Sequence, residues 1–267
     1  MKYCFAMKTL KKIPYLLLLA LLILASCKSD DSSGDDPDEP NPNAGNLLSV
    51  GESAFDLLAA ANFTAMNVEL VFIENMRPRQ ETLDNLRVFI EERLNKPGGI
   101  NFIERTVEQP GMQPFSTAEI AEIEDQVRTV YNQGNTLGVF ILFTDGANIN
   151  DTQFNKTLGT AYRNTSLVIY EETIREFSND PGEPGRVALE STTLNHEFAH
   201  LLGLVNLGTP LTSDHEDPIN TRHCVVEDCL MFFQTEVQGG IVKMKSLNQV
   251  TPLDPLCLAD LQANGGL

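Results

Sequence analysis

All four histidines of this 267-residue chain lie between positions 196 and 223. Two of them belong to the segment HEFAHLLG, in which the pattern His-Glu-x-x-His places His196 and His200 on the same side of a helix. Imidazoles at this spacing can bind one zinc ion. The carboxylate of Glu197, beside the first histidine, can then act as a general base towards a zinc-bound water molecule. The spacing therefore predicts a hydrolytic zinc site with Glu197 as its catalytic residue.

A helix that begins near Gly185 is predicted to carry this motif. Apolar residues between positions 187 and 205 recur on one side of the helix, and His196 and His200 project on roughly the opposite side. We expect the apolar side to pack on a sheet and the histidines to face a cleft. Gly203, three residues after the second histidine, is a position at which the helix can end.

The segment HEFAHLLG resembles the zinc-binding segment of the metzincin peptidases, H-E-x-x-H-x-x-G-x-x-H, which a methionine turn follows. In those enzymes the glycine bends the chain so that the third histidine reaches the metal. Here the residue at the third position is Asn206, and asparagine is a poor zinc ligand. Because a catalytic zinc ion normally has three protein ligands and a water molecule, another residue must supply the third ligand.

The segment HCVVEDCLM, residues 223–231, resembles the archaemetzincins, whose pattern is H-C-x4-C-x-M. Their third zinc-binding histidine directly precedes a cysteine, and the methionine of the turn follows eight residues after that histidine, as it does here. The resemblance implies that His223 is the third ligand and that Met231 belongs to the turn. It also implies that a loop over about 205–222 is inserted before the ligand. His215, in an acidic stretch of that loop, is the alternative third ligand.

Two other groups of zinc peptidases leave further alternatives. Gluzincins take a glutamate from a downstream helix, a role that Glu216 or Glu227 could fill. Aspzincins add a G-T-x-x-D stretch, which residues 208–214 match imperfectly because the aspartate comes two positions late. Gly203 and the Cys-Leu-Met segment favour the metzincins over both groups.

The archaemetzincins also bind a structural zinc ion through four cysteines. The corresponding residues here are Cys224, Cys229, Asp254 and Cys257, with an aspartate in place of one cysteine. The alternative is a disulfide between Cys224 and Cys229 with Cys257 as a buried thiol, and an oxidising compartment favours this pairing. One catalytic zinc ion is expected in either case.

The rest of the sequence predicts a single domain over residues 47–267. Its segments follow the order β-α-β-α-β-β-β-α, which is typical of an α/β or α+β fold with helices packed on a mixed, twisted sheet. The resemblance implies a metzincin-like catalytic domain whose active-site helix carries the HExxH motif. The predicted strands cover 68–74, 100–107, 138–144, 159–163 and 166–170, and the predicted helices cover 81–94, 116–132 and the segment after Gly185.

The N-terminus is predicted to be an export signal rather than part of the fold. Residues 1–26 combine lysines with a twelve-residue apolar stretch that is too short to span a bilayer. The box Leu-Ala-Ser-Cys that ends at Cys27 resembles that of bacterial lipoproteins, which implies that the signal peptide is removed and Cys27 is lipidated. Residues 27–46 then form an acidic, disordered tether. Because an acidic tether resembles a surface-export signal, we expect a lipid-anchored outer-membrane protein at the cell surface or, alternatively, on the periplasmic face.

The net charge of the chain argues against two further classes of binding partner. Nineteen basic and 37 acidic residues give a net charge of −18, which argues against nucleic acid and against electrostatic docking on anionic lipid. The expected function is that of a zinc-dependent metalloendopeptidase that acts on a peptide or protein and contacts the membrane only through its lipid. The alternative is a catalytically degenerate zinc-binding surface lipoprotein that serves as a binding or adhesion module. Asn206 and the lack of a tyrosine directly after Met231 support that alternative.

Overall fold

The computed structural model of the chain describes residues 41–111, 113–178, 183–233 and 249–267. The predicted signal peptide, Cys27 and most of the predicted tether therefore lie outside the described residues. Within the described ranges, no helix is long and apolar enough to cross a membrane.

Five strands form one mixed sheet, as the sequence predicts. The strands are β1 (Ala65–Ile73), β2 (Ile100–Val107), β3 (Thr136–Thr144), β4 (Gly159–Arg163) and β5 (Ser166–Tyr170). Their order across the sheet is β2-β1-β3-β5-β4. The first four strands in this order run parallel, and β4 pairs with β5 in the antiparallel direction at the edge. The sheet therefore confirms the predicted α/β class and leaves β4 as an edge strand.

Six helices accompany the sheet in the described part of the chain. They are α1 (Ala54–Leu58), α2 (Gln80–Glu91), α3 (Thr117–Val127), α4 (Glu171–Glu176), α5 (Arg186–Leu201) and α6 (Pro255–Ala263). The sequence analysis does not predict α1, α4 or α6, because helices this short show too few turns for an apolar period to be visible. The start of α6 nevertheless has a local cause, since the side chain of Asp254 accepts a hydrogen bond from the Cys257 N–H and proline occupies the first turn.

Helices cover both faces of the sheet, so the central strands are buried on both sides. In β1, for example, Leu70 faces the core that includes α2 and α5, whereas Val71 faces the core that includes α3. Burial on both faces explains why the β3 sequence is one continuous apolar run instead of an alternating pattern. The helix α5 packs against α2 and against the edge strand β4, which brings the HExxH motif to the edge of the sheet.

The folded domain extends N-terminally of residue 47. Asn46, which the sequence analysis places in the tether, is 1% exposed. Its side-chain amide donates to the carbonyl oxygen of Gly138 at 3.0 Å and to the hydroxyl of Thr165 at 3.1 Å. In return its side-chain oxygen accepts a hydrogen bond from the N–H of Asn132 at 2.9 Å. These contacts fix the start of the domain against strand β3 and the turn between β4 and β5.

Candidate metal centres

The HExxH motif lies in the last turns of α5, which ends at Leu201. Gly203 follows with a φ of +77°, and a Cβ atom at this position would lie 2.5 Å from the backbone nitrogen of Thr209. Only glycine can therefore make the turn that the sequence predicts here. The apolar side of α5 packs in the core, as expected, while His200 lines a cleft; the histidine side is nevertheless less exposed than an amphipathic helix suggests. Every residue from Ala188 to Leu201 is buried, because the histidine side is covered as well.

Three histidines converge at this end of the helix. His196, His200 and His223 each offer one ring nitrogen, and these atoms lie within 4.8 Å of one another. The Nε2 atoms of His196 and His200 are 3.1 Å apart. The ring of His223 stacks on that of His196 with its centroid 5.5 Å away, and its centroid lies 5.2 Å from that of His200. We refer to these three residues as the histidine group.

Backbone carbonyls orient each ring of the histidine group. The Nδ1 atoms of His196, His200 and His223 lie 2.7, 3.3 and 3.1 Å from the carbonyl oxygens of Leu230, Leu204 and Thr221, respectively. A carbonyl oxygen only accepts, so these contacts assign the proton to Nδ1 and the lone pair to Nε2 in each neutral ring. Lone pairs that face each other at 3.1 Å repel unless they share a cation. The nitrogens of a tetrahedral zinc site are separated by about 3.4 Å, so the group fits zinc.

The carboxylate of Glu197 lies between the histidine group and the edge strand. Its Oε2 atom accepts a hydrogen bond of 2.8 Å from the N–H of Ala161 in β4, and the residue is 2% exposed. Glycine is required opposite this side chain, because a Cβ atom at Gly159 would lie 2.6 Å from the Cγ atom of Glu197. Strand β4 therefore fixes the position of the predicted general base.

A cleft of about 430 Å³ opens beside these residues. Glu197, His200 and His223 line it on the helix side, and residues 159–161 line it on the sheet side. The N–H of Tyr170 in β5 donates to the carbonyl of Leu158 at 2.9 Å. In an antiparallel pair the direction of the backbone groups alternates along the strand, so those of Gly159 and Ala161 point away from β5 and towards the cleft.

His215 does not join the histidine group. Its Nε2 atom lies 2.8 Å from Oδ2 of Asp260 in α6, its Nδ1 atom lies 3.3 Å from the sulfur of Cys224, and the residue is 1% exposed. Burial alone would lower the pKa of His215, but the hydrogen bonds to Asp260 and Cys224 outweigh it and raise that pKa. As an alternative third ligand for the same metal, His215 is thus wrong on geometry.

The glutamates that the gluzincin alternative requires also lie outside the histidine group as the described residues define it. One carboxylate oxygen of Glu216 accepts from the side-chain amide of Asn206 at 3.0 Å, and the other accepts from the N–H of Arg222 at 2.9 Å. Glu216 therefore joins the two ends of the inserted loop instead of facing the histidines. Asn206 contributes to the loop in this way and not as a metal ligand.

A second group brings together Cys224, Cys229, Asp254 and Cys257, whose ligand atoms lie within 4.8 Å of one another. We call it the cysteine group. The predicted disulfide between Cys224 and Cys229 is wrong, because all three cysteines are free thiols. The sulfur atoms of Cys229 and Cys257 are 3.7 Å apart, against about 2.05 Å in a disulfide and about 3.8 Å around a tetrahedral zinc ion. Hydrogen bonds from Cys224 and Cys257 lower the pKa of Cys229 to about 4, which favours the thiolate that binds metal.

The segment 223–231 connects the two groups. His223 and Cys224 are neighbours in the chain but belong to different groups. The N–H of Cys224 donates to the carbonyl of Met231 at 2.7 Å, and the N–H of Met231 donates to the sulfur of Cys229 at 3.3 Å. Leu230, which lies between these contacts, supplies the carbonyl that orients His196. The cysteine group therefore holds the segment on which the histidine group depends.

Sequence reasoning missed several residues that complete these sites. Gly159 and Ala161 position Glu197 from another part of the chain, and a glycine at the start of a predicted strand was the one available signal. Leu230 acts through its carbonyl, so no side-chain pattern could reveal it. Asp260 orients His215 from α6, a helix without a visible amphipathic period.

No family model matches the chain, and no curated protein matches it. Among solved structures, the chain is similar to the archaemetzincin from Methanopyrus kandleri, with 16% identity and a TM-score of 0.48 over 75% of this chain and 96% of that chain. It is also similar to metalloproteinase-II from Bacteroides fragilis, with 15% identity and a TM-score of 0.41 over 84% of this chain and 58% of that chain. Similarities this low do not assign the chain to a family, so the function is argued from the geometry of the site.

Proposed function

We propose that the protein is a zinc-dependent endopeptidase whose catalytic zinc ion is held by His196, His200 and His223, with Glu197 as the general base. The observation that carries the proposal is the convergence of three carbonyl-oriented imidazoles beside a buried carboxylate at an open sheet edge. Three histidine ligands leave a fourth position for water or substrate, as in catalytic zinc sites generally.

Zinc held by these three histidines would supply a lowered pKa for water and a polarised carbonyl group. Glu197 would take the proton from the attacking water and pass it to the leaving amine. The N–H of Ala161 holds this carboxylate at the cleft and limits the positions that it can adopt. Burial of Glu197 and the neutral imidazoles keeps the reacting atoms partly shielded from bulk water.

The edge strand β4 supports a peptide as the substrate class. An extended peptide can add to an exposed sheet edge through backbone hydrogen bonds, with pockets for alternate side chains. The N–H of Gly159 and the carbonyl of Ala161 point away from β5 on the wall of the cleft that also contains Glu197, whereas the N–H of Ala161 is bound by Glu197 itself. A peptide paired with this edge would therefore present its own carbonyl groups next to the histidine group.

The cysteine group is proposed to hold a second zinc ion with a structural role. Three sulfur atoms and one carboxylate complete a tetrahedral set. Each member of the group is at most 8% exposed. Backbone N–H groups of Val226 and Met231 also donate to sulfur atoms of the group, at 3.4 and 3.3 Å. Such donors stabilise thiolates and fix their direction.

The test of catalysis is the substitution Glu197→Gln. We expect it to retain zinc and to keep the fold, because the amide preserves the size of the side chain, and to lower kcat by ~10² or more through the loss of the general base. Cleavage of an unstructured protein substrate and zinc content should be measured on the same samples. Glu81→Gln, which alters an exposed residue of α2, is the matched control. Normal turnover in Glu197→Gln would contradict the peptidase assignment.

We further propose that Cys27 carries the lipid that anchors the protein in the outer membrane, with the domain at the cell surface. The support is the Leu-Ala-Ser-Cys box and the acidic segment that follows it. Cys27→Ser should block lipidation, so that the protein is released or keeps its signal peptide. Membrane fractionation with mass spectrometry of the mature N-terminus checks this, and wild-type processing of the variant would contradict it.

A further inference from the structure

Arg222 lines two neighbouring cavities. The cleft beside the histidine group shares Val50, Leu207 and Arg222 with a second cavity of about 410 Å³ that extends towards residues 47–49. Arg222 also directly precedes His223 in the chain. A peptide that lies along the cleft and continues into the second cavity therefore passes this side chain.

The backbone of Arg222 adopts a conformation that arginine normally avoids. Its φ is +69°, in the left-handed region that favours glycine and asparagine. Asn206, at the other end of the inserted loop, also has a positive φ of +58°. Glu216 holds both residues through its two carboxylate oxygens. Asparagine is the residue expected at such a position, so the arginine side chain is retained at a conformational cost.

Within the described part of the fold, no acidic side chain pairs with the positive charge of Arg222. No ion pair or side-chain hydrogen bond of its guanidinium occurs among the described residues, although the chain contains 37 acidic residues. Arg163, the other arginine of the second cavity, is bound by Asp125 at 2.7 Å and by Glu124 at 3.0 Å. Among the described residues that line the first cleft, Arg222 is the one basic side chain apart from histidine.

We propose that Arg222 is a specificity-determining residue that binds a carboxylate of the peptide substrate. The carboxylate can belong to an aspartate or glutamate side chain, or to the C-terminus of the peptide. The inference rests on the proposed peptidase function and adds a substrate class to it. A guanidinium binds a carboxylate through two parallel N–H donors, and a chain of net charge −18 offers few other groups that would attract an acidic peptide.

The test uses the zinc-loaded full chain and quenched fluorogenic peptides in which glutamate or glutamine occupies each position around the cleaved bond in turn. One set ends in an amide and the other in a free carboxylate. We expect wild-type kcat/KM to favour one carboxylate over its neutral counterpart by roughly tenfold, as for a hydrogen bond to a charged group. A preference confined to one glutamate position identifies a side chain as the source, and a preference for the free acid identifies the C-terminus.

In Arg222→Asn that preference should fall to about one, while cleavage of the neutral peptides and the melting temperature do not decrease, because asparagine suits a positive φ. Arg87→Gln, on α2, removes the same charge from an exposed ion pair and should keep the preference. An equal rate for all pairs in the wild type, or an unchanged preference in Arg222→Asn, overturns the inference and leaves the peptidase assignment intact.

If no peptide is cleaved, the proposed function has failed and the inference is decided by binding. The affinity of the same peptides for the zinc-loaded Glu197→Gln variant is then measured by fluorescence anisotropy. Weaker binding of the carboxylate peptide, by roughly tenfold, when Arg222→Asn is added supports the inference. Equal binding with and without Arg222 overturns it.

Discussion

The histidine group and the cysteine group share the segment 223–231, yet they differ in ligand number and in access. The histidine group has three ligands, a carboxylate beside it and a cleft of about 430 Å³ in front of it. The cysteine group has four ligands, and all of them are buried. A metal with an open position and a neighbouring base can act on a substrate, whereas a closed set can only stabilise the fold. Access and ligand count therefore separate the two roles.

The position of the histidine group also depends on the cysteine group. The cysteine group fixes both ends of the segment 223–231, on which His223 and the carbonyl of Leu230 lie. Loss of the cysteine group should thus disturb the histidine group, whereas His223 supplies no ligand atom to the cysteine group, so its loss should leave the four ligands of that group present.

The largest expected effect is that of removing the third ligand. His223→Ala should weaken zinc at the histidine group and lower kcat/KM by roughly 10³, because a zinc ion with two protein ligands is held poorly. The thermal unfolding of the variant should stay close to that of the wild type, since the cysteine group is untouched. Zinc affinity by competition with a chromophoric chelator, cleavage and circular dichroism together check this.

His215→Ala is the matched comparison for that variant. It should leave zinc at the histidine group and weaken metal at the cysteine group by ~10–100-fold, because His215 orients a ligand without binding the metal itself. Cobalt substitution separates the two sites, since thiolate ligands give an intense charge-transfer band that imidazole ligands do not. A variant that loses the imidazole-bound metal instead would reverse the assignment of the two histidines.

Removing one ligand of the cysteine group should lower the stability of the fold more than it lowers the catalytic activity. Cys257→Ser removes a ligand that is distant in sequence from all three histidine ligands and from Met231, so its direct effect is confined to the cysteine group. We expect a loss of about 3 kcal/mol, which for a domain of this size lowers Tm by roughly 6–12 °C. Calorimetry of the zinc-loaded variant measures this, and an unchanged Tm would show that the cysteine group does not stabilise the fold.

The smallest effect is expected at the edge strand. Gly159→Ala places a methyl group 2.6 Å from the Cγ atom of Glu197, so the carboxylate must move. Overpacking of this kind costs about 1–3 kcal/mol, and displacement of the base should lower kcat roughly tenfold. Gly185→Ala is the control, because nothing lies within 4 Å of its added Cβ atom. Equal activity of both variants would mean that β4 does not position Glu197.

The sequence predicted best those features that depend on a single helix or a single strand. The spacing of His196 and His200 depends on a single helix, and each strand of the sheet is visible as an apolar run that is complete in itself. The position of His223 was available only through the family resemblance, because seventeen loop residues separate it from Val205. The contacts of His215 with Asp260 and Cys224 join three segments by tertiary packing, which no local pattern encodes.

The predicted disulfide failed for a related reason. A spacing of five residues permits Cys224 and Cys229 to approach each other, and nothing local shows that Asp254 and Cys257 complete a four-ligand set. The family resemblance also suggested a zinc site with these four residues as ligands. The choice between that zinc site and the disulfide required the positions of all four side chains. Partners from distant parts of the chain thus decided the chemistry of these cysteines.

Time-resolved release of zinc to a chelator, followed together with peptide cleavage and near-ultraviolet circular dichroism, tests the difference between the two groups most directly. We expect two zinc ions per chain, which leave in two phases. Cleavage should disappear with the first ion, from the open histidine group, while the circular dichroism changes only with the second, from the closed cysteine group. Release of a zinc ion that abolishes cleavage and tertiary structure in the same phase, or full cleavage by the zinc-free chain, would contradict it.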